Sequence, residues 1–323
     1  MKYRMMGNTG YKVSEIGFGT LQFGGLWAVQ SDEDSINALS AAVEKGVNFI
    51  DTAGEYGYGR SERIIGRFIK SVRKKIYIAT KIQPLPGPWP PSPYNTADDR
   101  YPEDYLIRDV DERLKNLGVP KLDILLLHTW TRAWNDDPTP LKTLLKLRKQ
   151  GKAENVGIST PEHDQNSVID LMKNGLVDVV EVIYNIFEQE PVAELLPTAA
   201  KYNIGLISRM PFDEGALTGK YTSDTVFVEG DLRRVYFKGD RLTETLERVD
   251  KVTQDIKDTG LTLPQAALSF VLNQPSVSTV IAGMPKVKYV LENTAVSDMP
   301  PLPEKTVLKL RNHNWIRAYW YPE

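Results

Sequence analysis

Four side chains able to do acid–base chemistry stand where strongly apolar runs stop. Asp51 and Tyr56 follow residues 47–50, Lys81 follows residues 75–80, and His128 follows residues 122–127. Each has an ordinary reading on its own: Asp51 as a helix cap, Tyr56 as a half-buried packing residue, Lys81 as a solvated strand-end lysine, His128 as a hydrogen-bonded core histidine. Their recurrence at three successive strand ends favours a shared purpose, because burying such groups without partners is costly. A phenol titrates at about 10 and is a poor proton donor until a nearby cation favours its anion. Lys81 can supply that cation, Asp51 can pair with Lys81, and His128 can donate to or accept from the same substrate oxygen. The four suit proton delivery to a carbonyl oxygen while another agent carries hydride to the carbon. No side chain donates hydride, so a nicotinamide cofactor is required.

The elements that must position these residues alternate strand and helix. Residues 2–6 and 11–15 flank Gly7-Asn8-Thr9-Gly10 and predict a small hairpin able to close one end of a larger body. Strands are then predicted at 16–21, 47–50, 75–80, 122–127, 153–158, 177–183, 205–208 and 277–281, with helices between them. Ser31 with Asp34 marks one helix start, and Gly46 ends that helix. Residues 84–102 are dense in proline and aromatics, which excludes a regular element and predicts an ordered loop packed over something. An open doubly wound sheet would carry GxGxxG after its first strand, and GFGTLQFGG does not fit that spacing. A closed barrel of eight strand-helix units puts functional side chains at the C-terminal ends of several strands, as here. The predicted fold is therefore α/β, a (β/α)8 TIM barrel with an N-terminal hairpin, in a single domain over residues 1–323.

Composition narrows the class. The chain has 323 residues, 41% hydrophobic and 25% charged, with a formal net charge of -2. Such a balance attracts neither nucleic acid nor anionic lipid over a large surface, so neither nucleic acid nor membrane is an expected partner. Cysteine is absent, which excludes disulfides, thiolate nucleophiles and cysteine zinc sites. The first residues lack the apolar core of a signal peptide, and no run is long enough to span a bilayer. A cytoplasmic enzyme is the expected class.

The chain resembles the aldo-keto reductase superfamily over nearly its whole length. FIDTAGEYGYGRSE, ATK with Lys81, LLLH with His128, a later YN, GALTGK and a degenerate form of the carboxy-terminal IPG...EN segment occur in family order. The resemblance implies that Tyr56 is the general acid or base, that Lys81 and Asp51 tune it, and that His128 orients the carbonyl, with hydride transferred without a metal. It further implies cofactor contacts at Gly19, Thr20, Asp51, Ser159, Thr160, Glu181, Arg209, Phe212, Leu217, Gly219, Lys220, Gly283, Met284, Lys288, Glu292 and Asn293. Several of these depart from the family pattern. Thr160 replaces a carboxamide-binding asparagine, Glu181 a glutamine, and Arg209 an aromatic residue that stacks on nicotinamide. An ionised Glu181 accepts but cannot donate, and adds negative charge beside a ring that becomes cationic on oxidation. The arginine commonly used for the adenosine 2'-phosphate is missing, with Pro285 or Tyr289 at the candidate positions and Lys286 and Lys288 as electrostatic substitutes. NADP is the family expectation and NAD an alternative.

A small-molecule carbonyl, alcohol or sugar is the implied substrate, met by Tyr56, His128 and the aromatics Trp27, Trp89 and Trp130, with Trp134 and Tyr58 as further candidates. Residues 84–102 can form a lid, and Arg233 with Arg234 can meet an anionic group. Two other readings remain open: a dehydrogenase of sugars or polyols that retains its cofactor, suggested by Glu181 and Arg209, and a weakly catalytic nicotinamide-binding sensor or accessory subunit. The second is disfavoured by the presence of all four catalytic residues, since cofactor binding alone needs no poised acid.

Overall fold

The structure is a computed structural model and describes residues 1–25, 30–317 and 319. Strands β1 (Tyr3–Met5) and β2 (Lys12–Ser14) form an antiparallel hairpin. Eight further strands close into a parallel barrel in chain order: β3 (Ile16–Gly19), β4 (Phe49–Asp51), β5 (Tyr77–Ile82), β6 (Leu122–Leu127), β7 (Ala153–Ser159), β8 (Val179–Ile183), β9 (Gly205–Arg209) and β10 (Thr279–Gly283), with β10 pairing both β9 and β3. The helices between them pack outside. The expected (β/α)8 barrel and N-terminal hairpin are both present.

Strand periodicity explains how the barrel fills. Alternate residues point inward, so Phe49, Ala79, Ile124, Leu126, Val179, Ile207 and Ile281 form one interior cluster. Met6, Tyr11 and Val13 from the hairpin join that cluster and plug the end at which the strands begin. The intervening positions Ile50, Ile78, Leu125, Leu127, Val180, Val182 and Leu206 pack into a separate cluster between barrel and helices. Continuing the inward phase by two residues reaches Asp51, Lys81, His128, Ser159, Glu181 and Arg209. The barrel's own pleat thus aims these polar side chains at its C-terminal mouth.

Some expected bounds shift. Asp51, Lys81, Ser159, Arg209 and Gly283 lie within their strands rather than after them, held by ladder pairings such as Gly19 with Asp51 and Lys81 with Leu126. Residues 84–102 include one short helix, Ala97–Arg100, where no regular element was expected; Thr96 and Asp99 cap each other's backbone N–H groups and so stabilise a single turn beyond the prolines. The segment is ordered as expected. The Arg100 guanidinium donates to the carbonyls of Leu85 at 2.8 Å and Pro88 at 2.9 Å, and Trp134 Nε1 donates to the Asn95 carbonyl at 2.7 Å.

Two glycines allow close approaches that shape the mouth. A Cβ on Gly24 would lie 2.7 Å from the backbone of Tyr56 and Gly57, so only glycine lets the loop after β3 rest against the Tyr56 turn. A Cβ on Gly157 would lie 1.8 Å from the Val179 carbonyl oxygen. Gly157→Ala should therefore push β7 from β8, lowering stability by about 1–3 kcal/mol or more, read as a fall in urea midpoint; an unchanged midpoint would contradict this packing.

Candidate active site

The C-terminal mouth opens into one elongated cavity of about 1040 Å³. Asp51, Tyr56, His128, Glu181 and Arg209 line its inner end, and Gly283, Tyr289, Glu292 and Asn293 line the other. Lys81 lies beneath the inner end and is wholly buried. Its ammonium donates to Asp51 Oδ1 and Oδ2, both at 2.7 Å, and to the Thr52 carbonyl at 3.1 Å. Those contacts engage its three protons. Glu181 Oε2, 3.3 Å from the same ammonium, forms an ion pair with it, and the Glu181 carboxyl also interacts with Asp51. The Lys81 Nζ stands 5.5 Å from the centroid of the Tyr56 ring, and the His128 ring meets the same ring edge-on with centroids 6.1 Å apart.

The loop that carries Tyr56 is built for a sharp reversal. Gly57 and Gly59 adopt φ of 65° and 77°, and Tyr58 between them, at φ 52°, is driven out into solvent. Behind Asp51 a ladder of hydroxyls fixes the first two strand ends: Thr20 Oγ1 donates to the Asp51 carbonyl at 2.7 Å, Ser61 Oγ to Thr20 Oγ1 at 2.8 Å, and Thr52 Oγ1 to Ser61 Oγ at 2.9 Å.

Charge decides the protonation pattern. Burial would push the Lys81 ammonium down, but Asp51 and Glu181 together raise it well above its ordinary value, so it stays a cation. Burial, and then the charge of Glu181, push Asp51 well up against the pull of Lys81, whereas Glu181 is drawn down against its own burial by Lys81 and Arg209. The two carboxyls share the field of one ammonium, and the result is opposite shifts, Asp51 up and Glu181 down. For Tyr56, burial is the largest effect and raises the phenol; Lys81 opposes it as expected, but Asp51, Glu181 and Glu55 add to the rise. The hydroxyl is accordingly protonated at neutral pH.

Glu55 is a cavity residue that the sequence reading did not single out. Its Oε2 lies 3.2 Å from His128 Nδ1, and that nitrogen is buried with no partner of good hydrogen-bond geometry. Burial works to raise Glu55, yet His128 and Lys81 leave it below its ordinary value. Its place beside Tyr56 in the loop is the only signal that could have found it. Gln22, Glu162, Glu214 and Tyr221 also line the cavity unforeseen. Trp89 is at the wall as expected, edge-on to His128 at 6.2 Å with its Nε1 donating to Glu162 Oε2 at 3.1 Å.

Among the expected cofactor positions, Gly19, Thr20, Asp51, Glu181, Arg209, Phe212, Lys220, Gly283, Glu292 and Asn293 line the cavity. Others stand back from it. The Ser159 hydroxyl donates to Glu181 Oε1 at 3.1 Å, and the Thr160 hydroxyl meets Gln165 Oε1 and the Glu181 carbonyl, each at 3.1 Å. Both hydroxyls are thereby engaged inside the protein. Leu217 and Met284 are buried in the core, and Gly219 caps a short 3-10 turn whose Thr218 faces the cavity instead. Lys288 reaches the region indirectly: Tyr289 lies between Lys220, whose Nζ is 3.6 Å from its ring centroid, and Lys288, at 4.8 Å. Lys286 is exposed at the start of the helix Val287–Thr294.

For substrate, Trp130 is a correction. It is fully buried, edge-on to Trp134 at 5.3 Å, with its Nε1 donating to Asn135 Oδ1 at 2.9 Å, so it shapes the wall from behind. Trp134 is likewise core, Tyr58 points away at 93% exposure, and Trp27 lies outside the described residues. Arg233 lines the cavity, while Arg234 does not.

A parallel eight-stranded barrel thus carries a buried lysine–carboxylate pair, a tyrosine and a histidine at its C-terminal mouth, opening on a large cavity, the place where barrel enzymes hold their active sites. A sequence model of the Aldo/keto reductase family matches residues 15–314, and the chain belongs to that family of NAD(P)-dependent oxidoreductases of carbonyl and alcohol substrates. It is 28% identical over 296 residues to Aldo-keto reductase YhdN of Bacillus subtilis (strain 168), covering 88% of this chain and 86% of the relative. It is 27% identical over 315 residues to the NADH-specific methylglyoxal reductase of Escherichia coli (strain K12), covering 91% and 93%. Among solved structures, the holo form of aldo-keto reductase AKR11C1 from Bacillus halodurans superposes with a TM-score of 0.77 over 99% of both chains at 22% identity. The glycerol dehydrogenase AKR11B4 from Gluconobacter oxydans does so with a TM-score of 0.76 over 98% of both at 23% identity. These two establish likeness of fold.

Removing the buried cation tests the electrostatic core. Lys81→Met leaves Asp51 and Glu181 facing each other unneutralised, which should destabilise the fold by roughly 3–5 kcal/mol. Carboxyls whose folded-state pKa is raised favour folding at low pH and oppose it once the pH passes their unfolded values. The deficit against wild type in urea melts should therefore shrink between pH 8 and pH 5; an equal deficit at both would refute the assignment.

Proposed function

We propose that the protein transfers hydride between a nicotinamide cofactor and the carbon of a neutral aldehyde, ketone or corresponding alcohol, with Tyr56 as the proton donor in reduction and acceptor in oxidation. The observation that carries this reading is the placement of the Tyr56 ring beside both the Lys81 ammonium and the His128 edge, at the inner end of one long cavity. The phenol stays protonated at neutral pH, and Lys81, which pulls against the rise, favours the anion left when Tyr56 gives up its proton.

The residues present fit a nicotinamide at that end. Two polar atoms there, Arg209 Nε and Glu181 Oε2, are buried without a well-aligned hydrogen-bond partner among the described residues. One is a donor and the other an acceptor, the complement of a carboxamide. The bound cofactor supplies the hydride. The chain's own part is to hold the carboxamide with Glu181 and Arg209, to keep Lys81 charged beneath Tyr56, and to keep a proton on the Tyr56 oxygen until the substrate oxygen takes it. At the other end, Glu292 and Asn293 suit adenine, and the Lys220 and Lys288 ammonium groups beside Tyr289 offer positive charge to a ribose 2'-phosphate, which supports NADP with NAD as the alternative.

The rim supports a neutral substrate. Glu55 and Glu162 face it, and Arg100 is turned onto backbone carbonyls, so an anion would meet repulsion while hydroxyl or carbonyl groups find acceptors, the Trp89 face and His128.

Tyr56→Phe should lower the rate of hydride transfer by roughly 10²–10⁴-fold while leaving cofactor affinity within about twofold, followed by nicotinamide absorbance across aldehydes, ketones and polyols. Wild-type protein that binds cofactor yet transfers hydride with none of these classes would point instead to a sensor or accessory role. A second variant reads the charge at the nicotinamide. Glu181→Gln should shift the ratio of affinities for oxidised and reduced cofactor by about fivefold toward the reduced form, ~1 kcal/mol; equal ratios in calorimetric titrations of both proteins would remove Glu181 from the redox bias.

A further inference from the structure

The segment after β9 carries two adjacent acids that face opposite ways. Met210, Asp213 and Glu214 there adopt φ of 56°, 50° and 52°, a left-handed backbone that side chains other than glycine seldom take, so the orientation of each acid is closely specified. Asp213 turns away from the main cavity. Arg317 grips its carboxylate with both terminal nitrogens, Nη1 at 3.0 Å, and the Tyr236 hydroxyl donates to it at 3.1 Å. Its carboxylate is thus paired within the protein.

Glu214 turns the other way. It lines the main cavity, is only 6% exposed, and its Oε2 is buried with no hydrogen-bond partner among the described residues. The loop is braced rather than loose, since the Tyr221 hydroxyl donates to the Glu214 carbonyl at 2.7 Å. The charged groups that face Glu214 are Asp213 on its own segment, Arg209 at the end of β9, and Asp231 and Arg233 around the start of the helix Leu232–Tyr236. Arg233 is itself committed to Asp231, donating from Nε at 2.9 Å, and to the Tyr221 hydroxyl at 3.1 Å. Among the described residues no cation forms a hydrogen bond or ion pair with the Glu214 carboxyl. Burial first, and then the charge of Asp213, push its carboxyl up to about 8 against the pull of Arg209 and Arg233.

Position in the cavity gives this group a counterpart. Glu181, Arg209, Glu214, Lys220, Tyr289 and Asn293 all line it, and Glu214 connects the two groups: Arg209 beside Glu181 acts on its carboxyl, while its carbonyl accepts from Tyr221, the chain neighbour of Lys220, whose ammonium lies 3.6 Å from the Tyr289 ring centroid. A dinucleotide lying from end to end has its diphosphate in the middle. An ionised carboxylate facing a diphosphate would repel it in a confined site, whereas a neutral acid is a short, strong donor to an anionic oxygen. We propose that Glu214 is a proton-bearing contact for the diphosphate of the dinucleotide: the neutral acid donates a hydrogen bond to a phosphate oxygen, and binding is linked to keeping that proton. The proton stays on Glu214 throughout, and no bond is made or broken. The inference rests on the nicotinamide reading above and adds to it a pH dependence of binding that is separate from the Tyr56 chemistry.

The sign follows from linkage. Below the pKa of the free protein the group is already neutral and affinity is flat. Above it, each binding event must take up a proton from solvent, so affinity falls by up to tenfold per pH unit. ADP-ribose and its 2'-phosphate are suitable probes, because both carry the diphosphate and neither carries nicotinamide, which leaves the Asp51–Glu181 pair out of the measurement. Calorimetric titration between pH 6.5 and 9 should show constant affinity to about pH 8 and a decline above it. Repeating the titrations in two buffers of different ionisation enthalpy should show proton uptake approaching one at pH 9 and none at pH 7. Glu214→Gln keeps a donor that cannot ionise, so its affinity should be level across the range, exceed wild type at pH 9, and involve no proton uptake. Wild-type affinity that is level with pH, or a variant that keeps the wild-type slope, overturns the proposal and leaves the cavity's assignment intact. Failure of both probes to bind at any pH overturns both. Should the variant not fold, the two-buffer comparison on wild type decides alone.

Discussion

A single ammonium group buried between two carboxyls is the constraint on which the mouth of this barrel depends. Lys81 is wholly buried, bonded to both oxygens of Asp51 and to the Thr52 carbonyl, and 3.3 Å from Glu181. A lone lysine there would surrender its proton, and two lone carboxyls would retain theirs. Together they permit one lasting positive charge under Tyr56. The arrangement gains little net stability from its ion pairs, since desolvation offsets most of the attraction. Its value lies in position: the charges are fixed before any ligand arrives, so little reorganisation is needed when charge develops at the substrate oxygen.

The barrel makes that constraint affordable. Six strands, β4 to β9, each bring one inward-facing polar group to the mouth, β3 and β10 end there in Gly19 and Gly283, and the layers beneath are apolar, with hairpin residues Met6, Tyr11 and Val13 closing the far end. Water is thereby kept from the underside of Lys81. Ladder pairing between neighbouring strands sets the heights of Asp51, Lys81 and Glu181 relative to one another, and the hydroxyl chain through Thr20, Ser61 and Thr52 fixes the first two strand ends. Precision at the site is inherited from main-chain hydrogen bonds, which are the least adjustable interactions available to the chain.

This inheritance also explains what the sequence could reveal. An apolar run that stops at Asp51, Lys81 or His128 is visible in one dimension because strand pleat alone determines where the next inward side chain points. Eight such alternations suffice for the barrel. Loops carry no comparable rule. Trp89 and Trp130 are alike as letters, yet one reaches Glu162 and the cavity while the other is buried against Trp134 and bonded to Asn135. Glu55 and Glu214 face the cavity only because Gly57, Gly59 and three left-handed residues bend their loops, and such bends are decided by packing rather than by local letters. The hydroxyls of Ser159 and Thr160 show the reverse: the right residue types stand at the right strand end, but neighbouring acceptors have claimed them.

That last displacement is coherent once Glu181 and Arg209 are considered as a pair. A neutral amide at residue 181 would offer both a donor and an acceptor, leaving Ser159 free to face outward. A carboxylate offers only acceptors, so it recruits Ser159 as a donor on Oε1, and the missing donor toward the cavity must come from elsewhere. Arg209 provides it: its Nε lies 3.9 Å from Glu181 Oε1 and is otherwise unpartnered, while its Nη2 donates to the Thr160 carbonyl at 3.0 Å. The guanidinium also draws Glu181 down toward the ionised form, which an aromatic residue at that strand end would not do. The two departures from the family pattern thus compensate each other in hydrogen bonding and in charge, and replacing either alone would leave a buried group without its partner.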